Sequence, residues 1–194
     1  MKPAVFLDRD GTVNVDVGYL CHPDQITLLS RAVEGLHLLR DCSLALVIIT
    51  NQAGVARGLI PPGQLPVIQR AFLRLMRAHA IPVAGYYACP HHPEGSVAEY
   101  RRACDCRKPA PGLVLQAARE LDLDVQRSYV IGDKPSDVQL AHNTGATGIL
   151  VLTGEGRKHL ENYPPGFTPP HMVCDDLYEA AKWIAACEGK NTPR

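Results

Sequence analysis

The stretch that decides the fold is AVFLDRDGT, residues 4–12, near the start of the sequence. An apolar run of four residues leads into two carboxylates, Asp8 and Asp10, with one residue between them. Because strand side chains alternate between two faces, both carboxylates can point to the same side where the strand ends. Gly11 permits a sharp turn and Thr12 adds a hydroxyl. Such a pair suits one group that attacks or binds a metal and one that carries a proton, and the alternative is a plain Asp-Gly surface turn.

The composition excludes several classes of protein. A chain of 194 residues is long enough for one well-packed domain and too short for two large ones. Its 20 basic and 20 acidic residues give a net charge of zero, which argues against a nucleic-acid binder. No apolar run approaches the roughly 18 residues of a membrane span, and the first run is too short for a signal peptide. We expect a cytoplasmic monomer that binds neither nucleic acid nor membranes.

Strand and helix signals alternate along the chain. The apolar, β-branched run at 44–50 is typical of a strand that is covered on both faces of a parallel sheet. The alternation predicts an α/β fold, a Rossmann-like three-layer sandwich with a central parallel sheet and right-handed crossovers. Further strands are predicted at 83–88, 128–132 and 149–152, and helices at 31–40, 64–79, 112–121, 136–143 and 175–187.

The predicted elements form one domain. We expect it to span residues 1–188, followed by a flexible tail at 189–194. Asp175 is the expected N-cap of the last helix, and residues 154–157 are expected to form a turn after the last strand. Long loops at 13–30 and 89–111 interrupt the alternation of strands and helices. Loops of this length in a compact domain are usually functional or disordered.

Three further polar motifs follow predicted strands or flank predicted helices. They are TNQ at 50–52, RKP at 107–109 and GDKPSD at 132–137. Thr50 and Asn51 can bind phosphoryl oxygens, Lys108 is a point charge suited to phosphate, and Arg107 is a fork suited to anions. Each motif alone is more often a turn or a solvated loop. Ligands bind at the carboxyl ends of strands in open α/β sheets, so we expect these motifs to converge there.

In this order, the motifs resemble those of the haloacid dehalogenase superfamily of phosphatases, which use an aspartate nucleophile. The resemblance runs from Asp8 to beyond Asp133 and implies that Asp8 attacks phosphorus. It implies that Asp10 protonates the leaving oxygen and later activates water. Thr50 and Lys108 would hold the phosphoryl oxygens. Mg²⁺ would be held by Asp8, by the backbone carbonyl of Asp10, and by Asp133.

The charged residues of these motifs suit phosphoryl transfer, independently of the resemblance. A phosphate ester and a carboxylate nucleophile repel each other, so the site needs a dication and a lysine. A covalent route splits one difficult displacement into two easier steps. Two roles stay open for Asp137, which either orients Lys108 or the metal shell, or begins the following helix.

A cluster of cysteine and histidine residues marks the loop at 89–106. The seven cysteines are an odd number, and a cytosolic chain keeps its thiols reduced, so metal binding is favoured over disulfides. Cys89, Cys104 and Cys106 offer three thiolates, and either His91 or His92 completes a set for tetrahedral zinc with no open position. Such a zinc would be structural and would place the RKP motif, whereas the alternative is chance clustering of thiols.

The motifs DRDGT, TNQ, CPHHPEG, CDCRKP and GDK together are similar to those of the D-glycero-D-manno-heptose 1,7-bisphosphate 7-phosphatase family. This resemblance implies loss of the C7 phosphate through an aspartyl-phosphate, giving heptose 1-phosphate for bacterial lipopolysaccharide biosynthesis. It implies Mg²⁺ and structural Zn²⁺ as cofactors, His91 as the fourth zinc ligand, and no large cap domain. Arg107 would meet the second phosphate. The residues that would contact the sugar bisphosphate are Asp16, Val17, Gly18, Tyr19, Asn51, Gln52, Ala53, Arg107 and Lys134.

Two other functions compete with this one. The histidinol-phosphate phosphatases are a similar zinc-bearing family, but the resemblance implies that Arg107 and the Gly18-Tyr19 loop suit a bisphosphorylated sugar better. A catalytically silent zinc module that binds nucleic acid or protein would show a basic surplus or exposed aromatic residues near the cysteines, and neither is visible. Which anomer of the heptose is used, α or β, stays open at this stage.

Overall fold

The computed structural model describes residues 1–191 of the chain, and side chains as far as residue 189. Twelve main elements alternate between strand and helix. In chain order they are β1 (Ala4–Leu7), α1 (Ala32–Asp41), β2 (Ala45–Asn51), α2 (Gln64–Ala78), β3 (Val83–Cys89), α3 (Gly112–Leu121), β4 (Tyr129–Gly132), α4 (Pro135–Thr144), β5 (Thr147–Val151), α5 (Gly156–Glu161), β6 (Met172–Cys174) and α6 (Leu177–Asn191). Two short 3-10 helices lie at Pro23–Gln25 and Val125–Arg127.

The six strands form one parallel sheet in the order β3-β2-β1-β4-β5-β6. The first three strands build outward from β1 in one direction, and the chain then crosses back to place β4 on the other side of β1. Leu7 is consequently paired with Ile48 of β2 on one side and with Ile131 of β4 on the other. The crevice between β1 and β4 is the point where the strand order reverses, which is where open α/β sheets bind their ligands.

Strand β1 shows how the sheet divides two apolar layers. Val5 and Leu7 pack on the face that α1, α2 and α6 cover, whereas Ala4 and Phe6 pack on the face that α3 and α4 cover. All four side chains are fully buried, because a parallel strand with helices on both faces has no solvent side. The predicted α/β three-layer sandwich is confirmed.

The last third of the chain differs from the prediction in two places. The turn predicted after the strand is present at residues 153–155, but α5 begins at Gly156 inside the predicted segment, and a sixth strand, β6, follows it. The N-cap of α6 is Asp176, whose carboxylate accepts a hydrogen bond from the Glu179 amide at 2.9 Å, and not Asp175.

The end of α6 lies inside the segment that was predicted as a tail. The helix continues to Asn191, and residues 192–194 lie outside the described part of the chain. Among the helices of residues 1–191, none has the length and apolar character of a membrane span.

Candidate active site and metal centres

A polar cavity of about 670 Å³ opens at the carboxyl ends of the strands, beside the β1/β4 crevice. Asp8 follows β1 directly and its amide donates to the Ile131 carbonyl of β4 at 2.9 Å, while Asp133 follows β4 directly. The cavity wall is formed by Asp8, Asp10, Asp16, Gly18, Tyr19, Asn51, Gln52, Ala53, Gly54, Arg57, Arg107, Lys108, Lys134, Ser136, Gly154 and Glu155. The strand-end motifs therefore converge, as the sequence predicts.

Three buried carboxylates meet beneath the cavity. Oxygen atoms of Asp8, Asp133 and Asp137 all lie within 4.8 Å of one another. Asp133 turns Oδ2 toward the Glu155 amide at 2.9 Å, and its Oδ1 is buried without a hydrogen-bond partner. Burial first, and then the charge of Asp8, raises the pKa of Asp133 to about 8. Clustered carboxylate oxygens with an unpartnered buried atom fit a hard divalent cation, and oxygen ligands are those that Mg²⁺ prefers.

Two glycines leave the space that Asp133 occupies. A Cβ atom at Gly11, where φ is +82°, would lie 2.2 Å from Asp133 Oδ2. A Cβ atom at Gly154, where φ is +55°, would lie equally close to the same oxygen. Both positions also have backbone angles that other residues rarely adopt. The carboxylate of Asp133 thus packs directly against the backbone at two glycines, and a side chain at either position would overlap with it.

Lys108 is the cation that balances this cluster. Its Nζ lies 2.8 Å from Asp8 Oδ1 and 2.6 Å from Asp137 Oδ1, and it donates to the Ile49 carbonyl at 2.9 Å. Burial alone would lower the pKa of Lys108, but the charges of Asp137 and Asp8 raise it, so the ammonium stays protonated. Asn51 fixes the backbone of Lys108 by accepting from its amide at 3.1 Å and donating to its carbonyl at 3.2 Å.

Asp137 fills both of the roles that the sequence left open. It pairs with Lys108, and its Oδ2 accepts a hydrogen bond from the Lys134 amide at 3.2 Å, at the start of α4. The side chain therefore caps a helix and orients the lysine of the site at the same time.

The second carboxylate of the DxD motif, Asp10, has a separate set of partners. Arg9, only 1% exposed, forms a bidentate ion pair with Asp10 at 2.7 Å and donates to the Tyr86 hydroxyl at 2.9 Å. Asn14 donates to Asp10 Oδ1 at 2.9 Å. Burial works to raise the pKa of Asp10, but the charge and hydrogen bonds of Arg9, aided by Asn14 and Gln52, hold it below its usual range. Asp10 is therefore ionised in this arrangement.

Gln52 joins the strand-end threonine to this group. Its Nε2 donates to Asp10 Oδ2 and to Thr50 Oγ1, each at 2.9 Å. Thr50 is 1% exposed and its hydroxyl lies behind Gln52 rather than on the cavity wall. The TNQ motif thus supplies a positioned hydroxyl and an amide that links it to Asp10.

The loop after the DxD motif closes one side of the cavity. Asp16 accepts from the Gly18 amide at 2.8 Å and pairs with Lys134 at 3.1 Å. Tyr19 accepts from Arg57 at 2.8 Å through its hydroxyl oxygen. Val17, predicted as a substrate contact, is 45% exposed and does not line the cavity. The remaining members of the predicted substrate set lie on its wall.

The cysteine and histidine side chains of the long loop converge on one point. Cys106 Sγ lies 3.1 Å from Cys89 Sγ and 3.2 Å from Cys104 Sγ, and His91 Nδ1 lies 3.3 Å from Cys106 Sγ. The three thiols are free rather than disulfide-bonded. Four convergent donors of this kind match a closed tetrahedral zinc site. Burial raises the pKa of the Cys89 thiol, so a bound zinc would displace its proton.

The structure separates the two candidate histidines. His91 belongs to the sulfur cluster, whereas His92 Nε2 faces Arg57 at 3.4 Å. Burial first, then the charges of Arg107 and Arg57, lowers the pKa of His92. The fourth donor of the cluster is therefore His91, as the family resemblance implies.

Sequence reasoning missed three parts of the site. Glu155 and Gly154 follow β5 and hold Asp133, but their GEGR context was interpreted as a plain turn. Asn14 supports Asp10 from a loop with no strand-end signal. Arg57 reaches the cavity from the loop after β2, and only its position five residues beyond TNQ could have indicated it.

Comparison with known proteins agrees with the fold and the motifs. A family model described as HAD-hydrolase-like matches residues 105–180. The chain is 44% identical over 155 residues to D-glycero-beta-D-manno-heptose-1,7-bisphosphate 7-phosphatase from Yersinia pestis, covering 79% of this chain and 82% of that protein. It is 43% identical to the protein of the same name from Escherichia coli K12, covering 79% and 81%.

A solved structure gives the same result over a longer span. The D,D-heptose 1,7-bisphosphate phosphatase from B. bronchiseptica, crystallised with magnesium and phosphate, superposes with a TM-score of 0.82 at 33% identity. The alignment covers 96% of this chain and 99% of that one. With the motifs, the strand order and the carboxylate cluster already in agreement, the chain belongs to the heptose 1,7-bisphosphate 7-phosphatase family of the haloacid dehalogenase-like hydrolases.

Proposed function

We propose that the chain removes the C7 phosphate of D-glycero-D-manno-heptose 1,7-bisphosphate through an aspartyl-phosphate and releases heptose 1-phosphate. The observation that carries the proposal is the pairing of Asp8 with Lys108 at 2.8 Å beside a buried carboxylate cluster, on a wall that also bears two arginines with no carboxylate partner among the described residues. The relatives at 43–44% identity are named for the β anomer, so we propose the β anomer as substrate.

Asp8 is proposed as the nucleophile. Lys108 holds Asp8 Oδ1 by a charge-assisted contact of 2.8 Å, which fixes the direction of the carboxylate. The same ammonium is placed to neutralise a phosphoryl oxygen, whereas the Thr50 hydroxyl, which accepts from Gln52 and is not on the cavity wall, would donate to another phosphoryl oxygen only after Gln52 turns aside. These cationic and hydrogen-bonding groups lower the repulsion between a carboxylate and a phosphate dianion.

Mg²⁺ is proposed at Asp8, the Asp10 carbonyl and Asp133. When bound, the ion would act as a Lewis acid on the phosphoryl group. Asp133 supports this assignment because its buried Oδ1 has no partner among the described residues while Oδ2 is held by the Glu155 amide.

Asp10 is proposed as the general acid and base. Its ionised state in the present arrangement is the state needed to take a proton from water when the aspartyl-phosphate is hydrolysed. A phosphate dianion entering the cavity places negative charge beside Asp10, which raises its pKa and favours the protonated form that the leaving oxygen requires.

Zinc is proposed as a structural ion held by Cys89, His91, Cys104 and Cys106. The loop runs from the end of β3 to Arg107 and Lys108, so fixing the sulfur atoms fixes the start of the segment that bears both cations. We further propose that the enzyme acts as a cytoplasmic monomer, as the sequence leads us to expect.

The test is phosphate release with Mg²⁺ from both anomers of the heptose bisphosphate, beside histidinol phosphate at matched concentrations. We expect the β heptose bisphosphate to be preferred by at least about tenfold in kcat/KM. A preference for histidinol phosphate would overturn the substrate and keep the nucleophile. Absence of release from all three would overturn the activity, provided that the protein holds zinc and is folded.

A further inference from the structure

The cations around the cavity fall into two groups. Lys108 is paired with Asp8 and Asp137, Lys134 with Asp16, and Arg9 with Asp10. Within the described part of the chain, Arg57 and Arg107 form no ion pair with any carboxylate, although both line the cavity. Two uncompensated guanidinium groups on one wall leave a local positive charge that an anion is needed to balance.

The two arginines come from separate loops that are joined to each other. Arg57 lies in the loop after β2, and Arg107 follows the sulfur cluster. The loops are connected by a hydrogen bond of 2.9 Å from the Val97 amide to the Ala56 carbonyl, directly beside Arg57. A Cβ atom at Gly95 would lie 2.6 Å from the same carbonyl oxygen, so the two backbones are in close contact. The Arg57 loop is thus held against residues 95–97 of the loop that leads to Arg107 by backbone contacts.

The contacts of Arg57 leave donors free. Its NH1 donates to the Tyr19 hydroxyl oxygen at 2.8 Å and its NH2 approaches His92 Nε2 at 3.4 Å. A guanidinium has five N–H donors, so these contacts orient the group without exhausting it. The Tyr19 hydroxyl accepts in this contact, which leaves its own proton to donate to a ligand. Arg107 is held at 3.4 Å from the His91 carbonyl by one of its nitrogens and likewise keeps donors for a ligand.

We propose that Arg57 is a specificity-determining residue that binds, together with Arg107, the phosphate of the substrate that is not hydrolysed. The assignment rests on the proposed function for the presence of two phosphates. The reacting phosphate is accounted for by Lys108, which lies beside the nucleophile, so the unpaired arginines serve a second anionic group. A substrate with only one phosphate leaves both guanidinium groups without an anion and gains nothing from them.

The experiment compares one substrate pair in matched variants. The kcat and KM of wild type, Arg57→Gln and Arg57→Lys are measured on heptose 1,7-bisphosphate and on heptose 7-phosphate, with zinc content and thermal unfolding checked for each. Arg74, exposed on α2 and outside the cavity wall, gives the control Arg74→Gln, which removes the same charge elsewhere.

For Arg57→Gln we expect kcat/KM on the bisphosphate to fall by roughly 10- to 100-fold, mainly through KM. On the monophosphate we expect a change of less than about threefold, because no second phosphate is present to lose. Arg57→Lys should lie between these values, since it keeps the charge and loses the fork.

The rates of wild type on the two substrates distinguish failure of the Arg57 proposal from failure of the proposed function. Equal loss on both substrates, or no loss on the bisphosphate, would overturn the role of Arg57 while the proposed function stands. A wild-type enzyme that does not prefer the bisphosphate to the monophosphate would instead overturn the premise of two phosphates.

Discussion

Asp8, the proposed nucleophile, lies close to the buried carboxylates of Asp133 and Asp137, whose negative charges repel it. The positive charge of Lys108, 2.8 Å from Asp8, offsets this repulsion. Replacing Asp8 by asparagine keeps the shape and removes the nucleophile, so we expect turnover to fall by roughly 10⁴-fold or more with the fold unchanged. Phosphate release and circular dichroism measure the two effects, and activity near that of wild type would contradict the proposed nucleophile.

Asp133 gives a prediction about stability and pH. An acid whose pKa rises on folding, here from 3.8 to about 8, contributes stability that is fully present below about pH 3.8 and is lost progressively until the pH has risen through about 8. In magnesium-free, zinc-loaded protein, Asp133→Asn should therefore already melt above wild type at pH 6, by roughly half of the difference expected at pH 9, because pH 6 lies about midway between the two pKa values. At pH 9 it should melt about 3–6 °C higher, because a repelling charge is gone.

Thermal unfolding at the two pH values tests this prediction for Asp133, and Mg²⁺ titration provides the companion readout. The variant should lose the stabilisation by Mg²⁺ that wild type shows, since an amide is a poorer ligand than a carboxylate. A difference in melting temperature that is the same at pH 6 and pH 9 would show that the charge of Asp133 does not set the effect.

At the scale of single residues, the sequence predicts groups that follow strands. Asp8, Lys108 and Asp133 were found because a DxDGT, an RKP and a GDK motif carry their own local signal. Arg57 and Glu155 have no such signal. Arg57 is positioned by contact between its loop and the loop at 89–106, and Glu155 by the close approach of the backbones at Gly11 and Gly154. Both depend on tertiary contacts that no local pattern encodes.

Among the elements, the loop from Cys89 to Arg107 carries the clearest prediction. Cys104→Ser removes one of four convergent donors, so we expect zinc content to fall well below that of wild type, for which the proposed site predicts about one ion per chain, with a lower melting temperature. Elemental analysis and thermal unfolding give both values. Cys187→Ser, on α6 and outside the cluster, is the matched control. Full zinc occupancy in Cys104→Ser would contradict the assignment.

The elements themselves were predicted unevenly. The strand at Ala45–Asn51 was found because its apolar run is continuous, as buried parallel strands require. Strand β6 has only three residues, Met172–Cys174, and α5 only six, so neither extends over enough residues for a periodic signal. Both were missed for that reason, and their edge position leaves little apolar patterning to detect.

For the whole molecule, the zero net charge leads to a prediction about salt. A chain with 20 basic and 20 acidic residues has no net charge to attract its substrate, so attraction comes from the cavity cations such as Arg57 and Arg107. With the Debye length falling to about 10 Å at 0.1 M salt, we expect kcat/KM on the bisphosphate to fall several-fold between roughly 20 and 200 mM salt.

The control for the salt effect is a substrate with a single phosphate, such as p-nitrophenyl phosphate, at constant Mg²⁺. Its kcat/KM should fall less, because fewer charges are screened. Equal salt dependence for both substrates would show that the second phosphate contributes nothing to attraction.

The sequence predicts the class of the sheet, but not the order of its strands. Alternating strands and helices predict a parallel sheet, and the structure confirms it. After β3 the chain returns to the far side of β1, where β4 pairs with β1, for example Tyr129 with Val5. These residues have no local relationship in the sequence, so no local pattern predicts their pairing.

The central place of β1 has a consequence for the order of events during synthesis. Its residues leave the ribosome before those of its partner Tyr129–Gly132, which is made more than 120 residues later. Until then, one hydrogen-bonding edge of an entirely apolar strand has no partner strand within the nascent chain, and such edges are prone to pair with other chains. Asp8 meets Asp133 only after this delay, so the carboxylate cluster cannot form in the nascent chain before β4 and the residue that follows it have been translated.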